Sequence, residues 1–330
     1  MSSKDSRILS GMRPTGKLHL GHLVGALDNW VRLQEDNQCF FMVADWHALM
    51  SEYECPSVVS ESTFDNLIDW LAAGIDPAKS IIFIQSEVKE HLDLYMLFSC
   101  LTPLGWLERC PTYKEQLRQL SDRNVKTYGF LGYPVLQAAD ILLYKANKVP
   151  VGEDQLPHLE LTREIARRVN GMYKKDIFPD PQALLTESPR LLGLDNRKMS
   201  KSFNNSVNLS DTADSVRKKI QNMITDPKRI KLGDPGHPKE CNVFSYYKVF
   251  LRQREKEAFT WCTDAQKGCI ECKTILAEAL IEKISLHQEK RKKWTKDKAG
   301  LEQIIKDGRL RASQFAGQTL KELKQAMGIL

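Results

Sequence analysis

Two short, unbroken apolar runs, residues 39–44 (CFFMVA) and 80–85 (SIIFIQ), constrain the fold more than any other feature of this chain. They lack the polar alternation of a strand with one wet face, so each reads as a strand buried on both sides. Residues 7–12 (RILSGM) read as another short strand, followed by a Pro-Thr-Gly turn and helical spacing from about Leu18 to Leu33. Residues 133–146 place Leu136, Ala139, Leu143 and Ala146 along one helical face, and Val149-Pro150-Val151 reads as a further strand. Residues 154–170 have Leu161, Ile165 and Val169 on one helical side. Strands alternating with helices predict an α/β fold with a Rossmann-type, doubly wound parallel sheet.

From about residue 210 strand-like runs disappear. Leu276, Leu280, Ile284 and Leu320, Leu323, Met327 keep helical spacing, which predicts an α/β domain over 1–207 and an all-helical domain over 208–330. The intervening stretch 172–196, with Pro179, Pro181, Pro189, Gly193 and Asn196, reads as a loop. A length of 330 residues suits two domains, and 42% apolar residues exclude a disordered chain. No stretch approaches the ~18 uninterrupted apolar residues of a membrane span. The N-terminal MSSKDSR has neither an apolar core nor an Arg-rich amphipathic pattern, so a cytoplasmic location is expected.

Charge is unevenly placed. Residues 211–330 carry +9 and residues 1–210 carry −3, within a total of +6. The steepest run is Lys290-Arg291-Lys292-Lys293-Trp294-Thr295-Lys296, and a basic half with an embedded aromatic suits an RNA backbone. A solvated helix face is the plainer reading of such a run taken alone.

Two motifs carry chemistry. Gly11 to His22 (GMRPTGKLHLGH) runs from strand through turn to helix, where free N–H groups and the positive end of the helix dipole meet an anion. His19 and His22, three apart, are placed on one helix face, with imidazole N–H groups for phosphate oxygens. Gly21 keeps that surface flat for a base or ribose. The second motif, Lys198-Met199-Ser200-Lys201-Ser202, puts two lysines and small hydroxyl residues where they can neutralise charge on a leaving pyrophosphate.

With both motifs in place the chain resembles the class I aminoacyl-tRNA synthetases, and more narrowly the bacterial tryptophanyl-tRNA synthetases over nearly its whole length. Residues 19–22 match HIGH and residues 198–202 match KMSKS. ADWHAL (44–49), YPVLQAADIL (133–142) and VGEDQ (151–155) extend the likeness. The resemblance implies ATP and L-tryptophan as substrates with Mg²⁺, tRNA(Trp) as partner, a homodimer, and no membrane association. It implies ATP contacts from Arg13, Pro14, Thr15, Gly21, His22, Gly152, Glu153, Asp154, Leu191 and Lys198 to Ser202, with His19, His22, Lys198 and Lys201 as the catalytic set.

Tryptophan has one polar side-chain group, an indole N–H donor, so its site needs an apolar slot and one acceptor. Asp140 supplies the acceptor, and Gln137, three residues earlier, shares its face. An Asp that caps or pairs structurally is the alternative. No protein nucleophile is required: the amino-acid carboxylate attacks the α-phosphate of ATP, Mg-pyrophosphate leaves, and the aminoacyl group passes to the tRNA. Catalysis is therefore positioning and electrostatics.

Cys241, Cys262, Cys269 and Cys272 are spaced C-x20-C-x6-C-x2-C within the helical half. Four thiolates suit tetrahedral zinc or an iron–sulfur cluster, although Cys₄ zinc sites usually use two close pairs and this set has one. A subset of the resembled synthetases carries a [4Fe–4S] cluster on a similar pattern, so the resemblance implies a cluster here, with zinc the alternative. The set's place after both nucleotide motifs predicts a role in the RNA step and not in adenylation. Rival functions are a tyrosyl-tRNA synthetase, a non-catalytic RNA-binding paralogue and a small-molecule nucleotidyltransferase. The GED segment and the 133–142 helix disfavour the first, the two intact motifs the second, and the basic helical half the third.

Overall fold

A computed structural model describes residues 6–119, 124–185, 191–197, 199 and 205–329. Five strands form one sheet: β1 (Arg7–Met12), β2 (Gln38–Val43), β3 (Ser80–Ile84), β4 (Lys148–Val151) and β5 (Gln182–Leu185), in the order β3-β2-β1-β4-β5. Every pairing is parallel. Parallel neighbours require crossovers, which helices supply. From β1 the chain passes through α1 (Leu20–His22), a π-helical turn (Leu23–Leu27) and α2 (Asp28–Asp36) to β2. α3 (Asp45–Glu52) and α4 (Ser57–Ala73) lead on to β3. α5 (Glu90–Leu101), α6 (Leu104–Arg109), α7 (Pro111–Gln119) and α8 (Tyr128–Leu143) carry the chain back across the sheet to β4, and α9 (Leu156–Tyr173) joins β4 to β5.

The doubly wound sheet is the one expected, with one strand missed. The stretch 172–196 contains β5, whose Val149–Ala183 and Val151–Leu185 pairings extend the sheet beyond β4. Its side chains are half-buried or exposed, so the apolar signature of β2 and β3 is absent. Backbone pairing, not core burial, defines this edge.

Successive residues of each inner strand enter different cores. Ile8, Phe41 and Ile82 face one side with Trp30 and Trp70, and Leu9, Phe40, Ile81 and Phe83 face the other with Phe98 and Leu142. Trp30 stacks on Phe41 with ring centroids 4.6 Å apart. After residue 209 the regular elements among the described residues are all helical. The main ones are α10 (Ala213–Gln221), α11 (Asn242–Phe250), α12 (Glu255–Thr263), α13 (Cys269–Lys296) and α14 (Lys298–Met327). No described helix is long and apolar enough to cross a membrane. α13 is clamped to α4 by buried charge: Asp69 takes His287 Nε2 at 2.9 Å and Arg291 Nη1 at 2.6 Å. Arg291 of the basic run is therefore spent inside the protein, and Lys292 pairs with Glu289 at 2.6 Å on the surface.

α14 returns to the sheet. Leu301 and Ile305 enter the first core, and Ala312, Ala316, Leu320 and Leu323 enter the second, so the helix crosses the outer edge of β3. At the crossing Gly308 rests on the strand backbone, where a Cβ would lie 1.7 Å from the Ile82 carbonyl oxygen. Arg311 Nη1 donates to the Pro77 carbonyl at 3.3 Å. An edge that would otherwise offer its backbone to other chains is covered.

Helix propensity alone favours Gly308→Ala by about 1 kcal/mol. The Ile82 contact reverses the sign, and we expect Gly308→Ala to lower the unfolding free energy in urea titration by about 1–3 kcal/mol. A stabilised variant would mean that α14 is not seated on β3.

Candidate active site

Strand order reverses between β1 and β4, and their carboxyl ends open a crevice there. A cleft of about 440 Å³ fills it, lined by Gly11, Arg13 and Thr15 after β1, Val151 and Gly152 after β4, and His22, Gln137 and Asp140 from the helices. The Pro-Thr-Gly turn that enters it is closed by Thr15 N–H donating to the Arg13 carbonyl at 2.9 Å. Gly16 sits at φ 105°, a left-handed conformation that favours glycine.

His19 does not share a helix face with His22 as the spacing suggested. It is the N-cap of α1, in extended conformation, with its ring turned back over the helix start. Its Nδ1 accepts the Gly21 N–H at 3.1 Å, while His22 Nδ1 accepts the His19 N–H at 3.2 Å, a reciprocal capping box made by two imidazoles. Because each Nδ1 accepts, the neutral rings carry their proton on Nε2. The rings lie 3.8 Å apart between centroids. A Cβ on Gly21 would come within 3.0 Å of the His19 ring and 3.2 Å of Met199 Sδ, so this glycine allows the two motifs to touch.

The motifs are also tied by backbone. Leu209 N–H donates to the Leu18 carbonyl at 2.9 Å and Leu20 N–H to the Val207 carbonyl at 3.0 Å, an antiparallel bridge between the segments that flank them. Met199 is buried; Lys198, Ser200, Lys201 and Ser202 lie outside the described residues. Leu191 belongs to the first core and does not line the cleft, and neither do Pro14, Glu153 or Asp154. Glu153 and Asp154 lie in a single 3₁₀ turn at the mouth of α9.

Asp140 projects from α8 and is 2% exposed. Gln85 Nε2 and His91 Nδ1 donate to its Oδ1 at 2.8 and 2.6 Å, and His47 Nε2 donates to Oδ2 at 2.7 Å. With Nδ1 spent on Asp140, the other ring nitrogen of His91, Nε2, hydrogen-bonds with the Tyr144 hydroxyl at 2.7 Å. Burial alone would raise the Asp140 carboxyl, but hydrogen bonds from His47 and His91 and their electrostatic attraction outweigh it and hold the group at about 2. Of roughly four acceptor positions on a carboxylate, three are taken by described residues, and one remains on Oδ2.

A second buried pair begins two turns earlier on α8. Tyr133, which lines the cleft, has its hydroxyl 2.7 Å from His158 Nε2, and Cys110 Sγ lies 3.5 Å from His158 Nδ1. Burial, helped by His47, lowers His158 to about 4, so the ring is neutral at working pH. Sequence reasoning missed Gln85, His91, Tyr144 and His158. His47 lay in plain view in the Asp45-Trp46-His47 segment; the others are single polar residues with no motif around them.

The four cysteines of the helical half come together. Cys241 caps α11, Cys262 lies in α12, Cys269 and Cys272 open α13, and all four line one small cavity with Trp261 and Lys267. Burial first, then the neighbouring thiols, push Cys272 up to about 11. No group of three or more His, Cys, Asp or Glu with metal-binding geometry occurs among the described residues, so the sulfurs share a cavity without forming a closed ligand set. The Trp261 indole N–H, buried beside them, has no hydrogen-bond partner among the described residues.

Known proteins resemble this chain at every level. Residues 1–287 match the family of class I tRNA synthetases (W and Y). A tryptophan–tRNA ligase of Thermotoga maritima is 49% identical over 327 residues, covering 98% of this chain and 99% of the relative. Another, from Ralstonia nicotianae, is 42% identical and covers 98% of both. The crystal structure of the tryptophanyl-tRNA synthetase from Campylobacter jejuni, complexed with ADP and tryptophan, superposes with a TM-score of 0.87 at 33% identity, over 98% of this chain and 99% of that one. The sheet, the crevice at its switch point and these likenesses agree, and the chain belongs to the bacterial tryptophanyl-tRNA synthetases of class I.

Proposed function

We infer that this chain is a tryptophan–tRNA ligase that activates L-tryptophan with ATP in the β1–β4 cleft and then charges tRNA(Trp). The single observation that carries the choice of amino acid is the one open acceptor position on a buried, ionised Asp140. An indole N–H fits it, and Gln137, Ile141 and Met42 line the surrounding wall. In the first step a carboxylate oxygen of tryptophan bonds to the α-phosphorus of ATP, the bond to the bridging oxygen breaks, and pyrophosphate leaves. In the second, a hydroxyl at the 3′ end of the tRNA attacks the tryptophanyl carbonyl and AMP departs.

His22 and His19 serve the phosphates through Nε2–H, the nitrogen that their cap geometry leaves protonated. Lys198 and Lys201 neutralise the leaving pyrophosphate with its Mg²⁺, Ser200 and Ser202 add hydroxyl donors, and Met199 seats their segment against Gly21. Arg13, Thr15 and Gly152 hold the nucleotide from within the cleft, and Pro14, Glu153, Asp154 and Leu191 shape the approach to it. Residues 1–207 supply this chemistry. Residues 208–330 supply the basic helical face for the tRNA, although α14 returns to brace the sheet. A homodimer completes the reading: the exposed Leu92, Met96 and Tyr128 flank an apolar groove that includes Trp46, Leu49 and Leu136. Charging of tRNA places the protein in the cytoplasm.

Cys241, Cys262, Cys269 and Cys272 would hold a [4Fe–4S] cluster, with zinc the alternative. Four soft sulfur donors on one cavity fit it, and the unpartnered Trp261 N–H suits the sulfide edge of a cluster better than a bare zinc ion. Bound there, the group would supply cross-links that order the helices around it.

Four outcomes test this reading. Exchange of pyrophosphate into ATP should depend on tryptophan and be slight with tyrosine. Asp140→Asn should lower kcat/KM for tryptophan by about 2–3 kcal/mol, as for a hydrogen bond to a charged group, while leaving the KM for ATP unchanged. Normal tryptophan kinetics in that variant would make Asp140 structural. Lys198→Ala and His22→Ala should each lower kcat for adenylation roughly 10²–10³-fold with little change in the KM for tryptophan; the reverse pattern would reassign both residues. Protein purified without oxygen should be brown and contain iron and sulfide, and Cys269→Ser should lose both and charge tRNA poorly. Colourless protein with one zinc would exclude the cluster.

A further inference from the structure

α11 touches two sites at once. From its first turn Asn242, 2% exposed, donates from Nδ2 to the Gly193 carbonyl at 2.7 Å, and the hydroxyl of the fully buried Tyr246, one turn on, donates to the Leu192 carbonyl at 2.7 Å. Gly193 and Leu192 begin the stem that leads into residues 198–202. That stem is tightly closed: Gly193 N–H donates to the Arg197 carbonyl at 2.7 Å and Leu194 N–H to the Asn205 carbonyl at 2.8 Å. Asn205 Nδ2 donates to Asp195 Oδ1 at 2.7 Å, and a Cβ on Gly193 would lie 2.2 Å from that same Nδ2.

The adjoining stripe of α11 faces the four-thiol cavity. Cys241 is its N-cap, Val243 lines the cavity, and the Tyr247 hydroxyl donates to the Cys272 carbonyl at 2.7 Å. Positions 242 and 246 hold the stem, while 243 and 247 hold the cavity. On a rigid helix these i, i+4 pairs cannot shift independently.

We propose that Asn242 and Tyr246 are positioning residues for adenylation, fixing the stem that carries Lys198 and Lys201 and coupling it through α11 to the Cys241–Cys272 cavity. The proposal rests on the reading of Lys198 and Lys201 as phosphate-handling residues. It runs against the separation expected from sequence order, because hydrogen bonds join α11, which borders the thiol cavity, to the stem of the nucleotide segment across 49 and 54 positions of chain.

Tyr246→Phe keeps size and shape while removing the hydroxyl donor, and Asn242→Ala removes the amide donor without placing a charge there. In tryptophan-dependent exchange each should lower kcat/KM for ATP about five- to tenfold, with the KM for tryptophan unchanged, the scale of one neutral hydrogen bond. Calorimetric titration with ATP, without tryptophan, should show weaker binding in both. In a Lys198→Ala background, Tyr246→Phe should have little further effect, because the group it positions is already gone. Equal effects of Tyr246→Phe in both backgrounds, or equal losses for ATP and tryptophan, would reduce α11 to a structural support and overturn the proposal. If Lys198→Ala impairs exchange but the α11 variants do not, this proposal alone falls; if Lys198→Ala is itself silent, the phosphate reading falls and takes the proposal with it. Cys241→Ser keeps a good N-cap while removing the thiol. It should raise the KM for ATP at least threefold, and an unchanged value would refute the coupling.

Discussion

β1 and β4 lie side by side, yet the helices that follow them pack on opposite faces of the sheet. Leu23, Leu27 and Trp30 go into one core and Leu159, Ile165 and Val169 into the other. Between two such strands no crossover can close the carboxyl end, so a gap is a consequence of topology and not of any particular side chain. The residues of the chemistry are those that the gap exposes: the turn after β1, the start of the helix behind it, and Gly152 after β4. Even the imidazole capping box belongs to this constraint, since the helix after β1 must begin at the crevice with its first N–H groups lacking carbonyl partners one turn back in the helix.

Burial of the Asp140 charge is the costliest feature of the cleft. An uncompensated ion at that depth would cost several kcal/mol, and the protein meets this with three donors drawn from α3, the segment after β3, and α5. His47 comes from the β2–β3 crossover and Gln85 and His91 from the β3–β4 crossover, so folding of the sheet and assembly of the amino-acid site are one event. Tyr144, closing the chain of hydrogen bonds behind His91, also packs at 4.6 Å on Phe40 of β2, which links the polar network to the second core.

What the sequence made legible follows from how locally each feature is encoded. β2 and β3 were readable because burial on both faces leaves no polar residue from Cys39 to Val43 or from Ile81 to Ile84, and HLGH because cap, turn and helix are contiguous. Asp140 was readable because indole chemistry demands one acceptor on an otherwise apolar face. β5 was not, since Gln182–Leu185 owes its conformation to β4 and not to its own composition. His91 and His158 were not either: each is a single imidazole in an ordinary helix, and its meaning comes from partners 49 and 25 positions away. The basic run misled in part, because Arg291 faces two aspartates of α4 that no local pattern announces.

The crossing of α14 over β3 has a bearing on how the chain reaches this state as it is made. Strands β1 to β5 can all pair before residues 298–327 have left the ribosome, but the outer edge of β3 then stands open, with the Ile82 carbonyl turned to solvent. During that interval the nascent sheet offers a flat, apolar strand to any neighbouring chain, the situation in which partly synthesised α/β domains associate wrongly. Gly308 follows every strand of the sheet in the chain, and its docking ends the exposure. α14 therefore acts as a late seal on the sheet, and the period of greatest vulnerability to aggregation is set by translation time rather than by the stability of the finished fold.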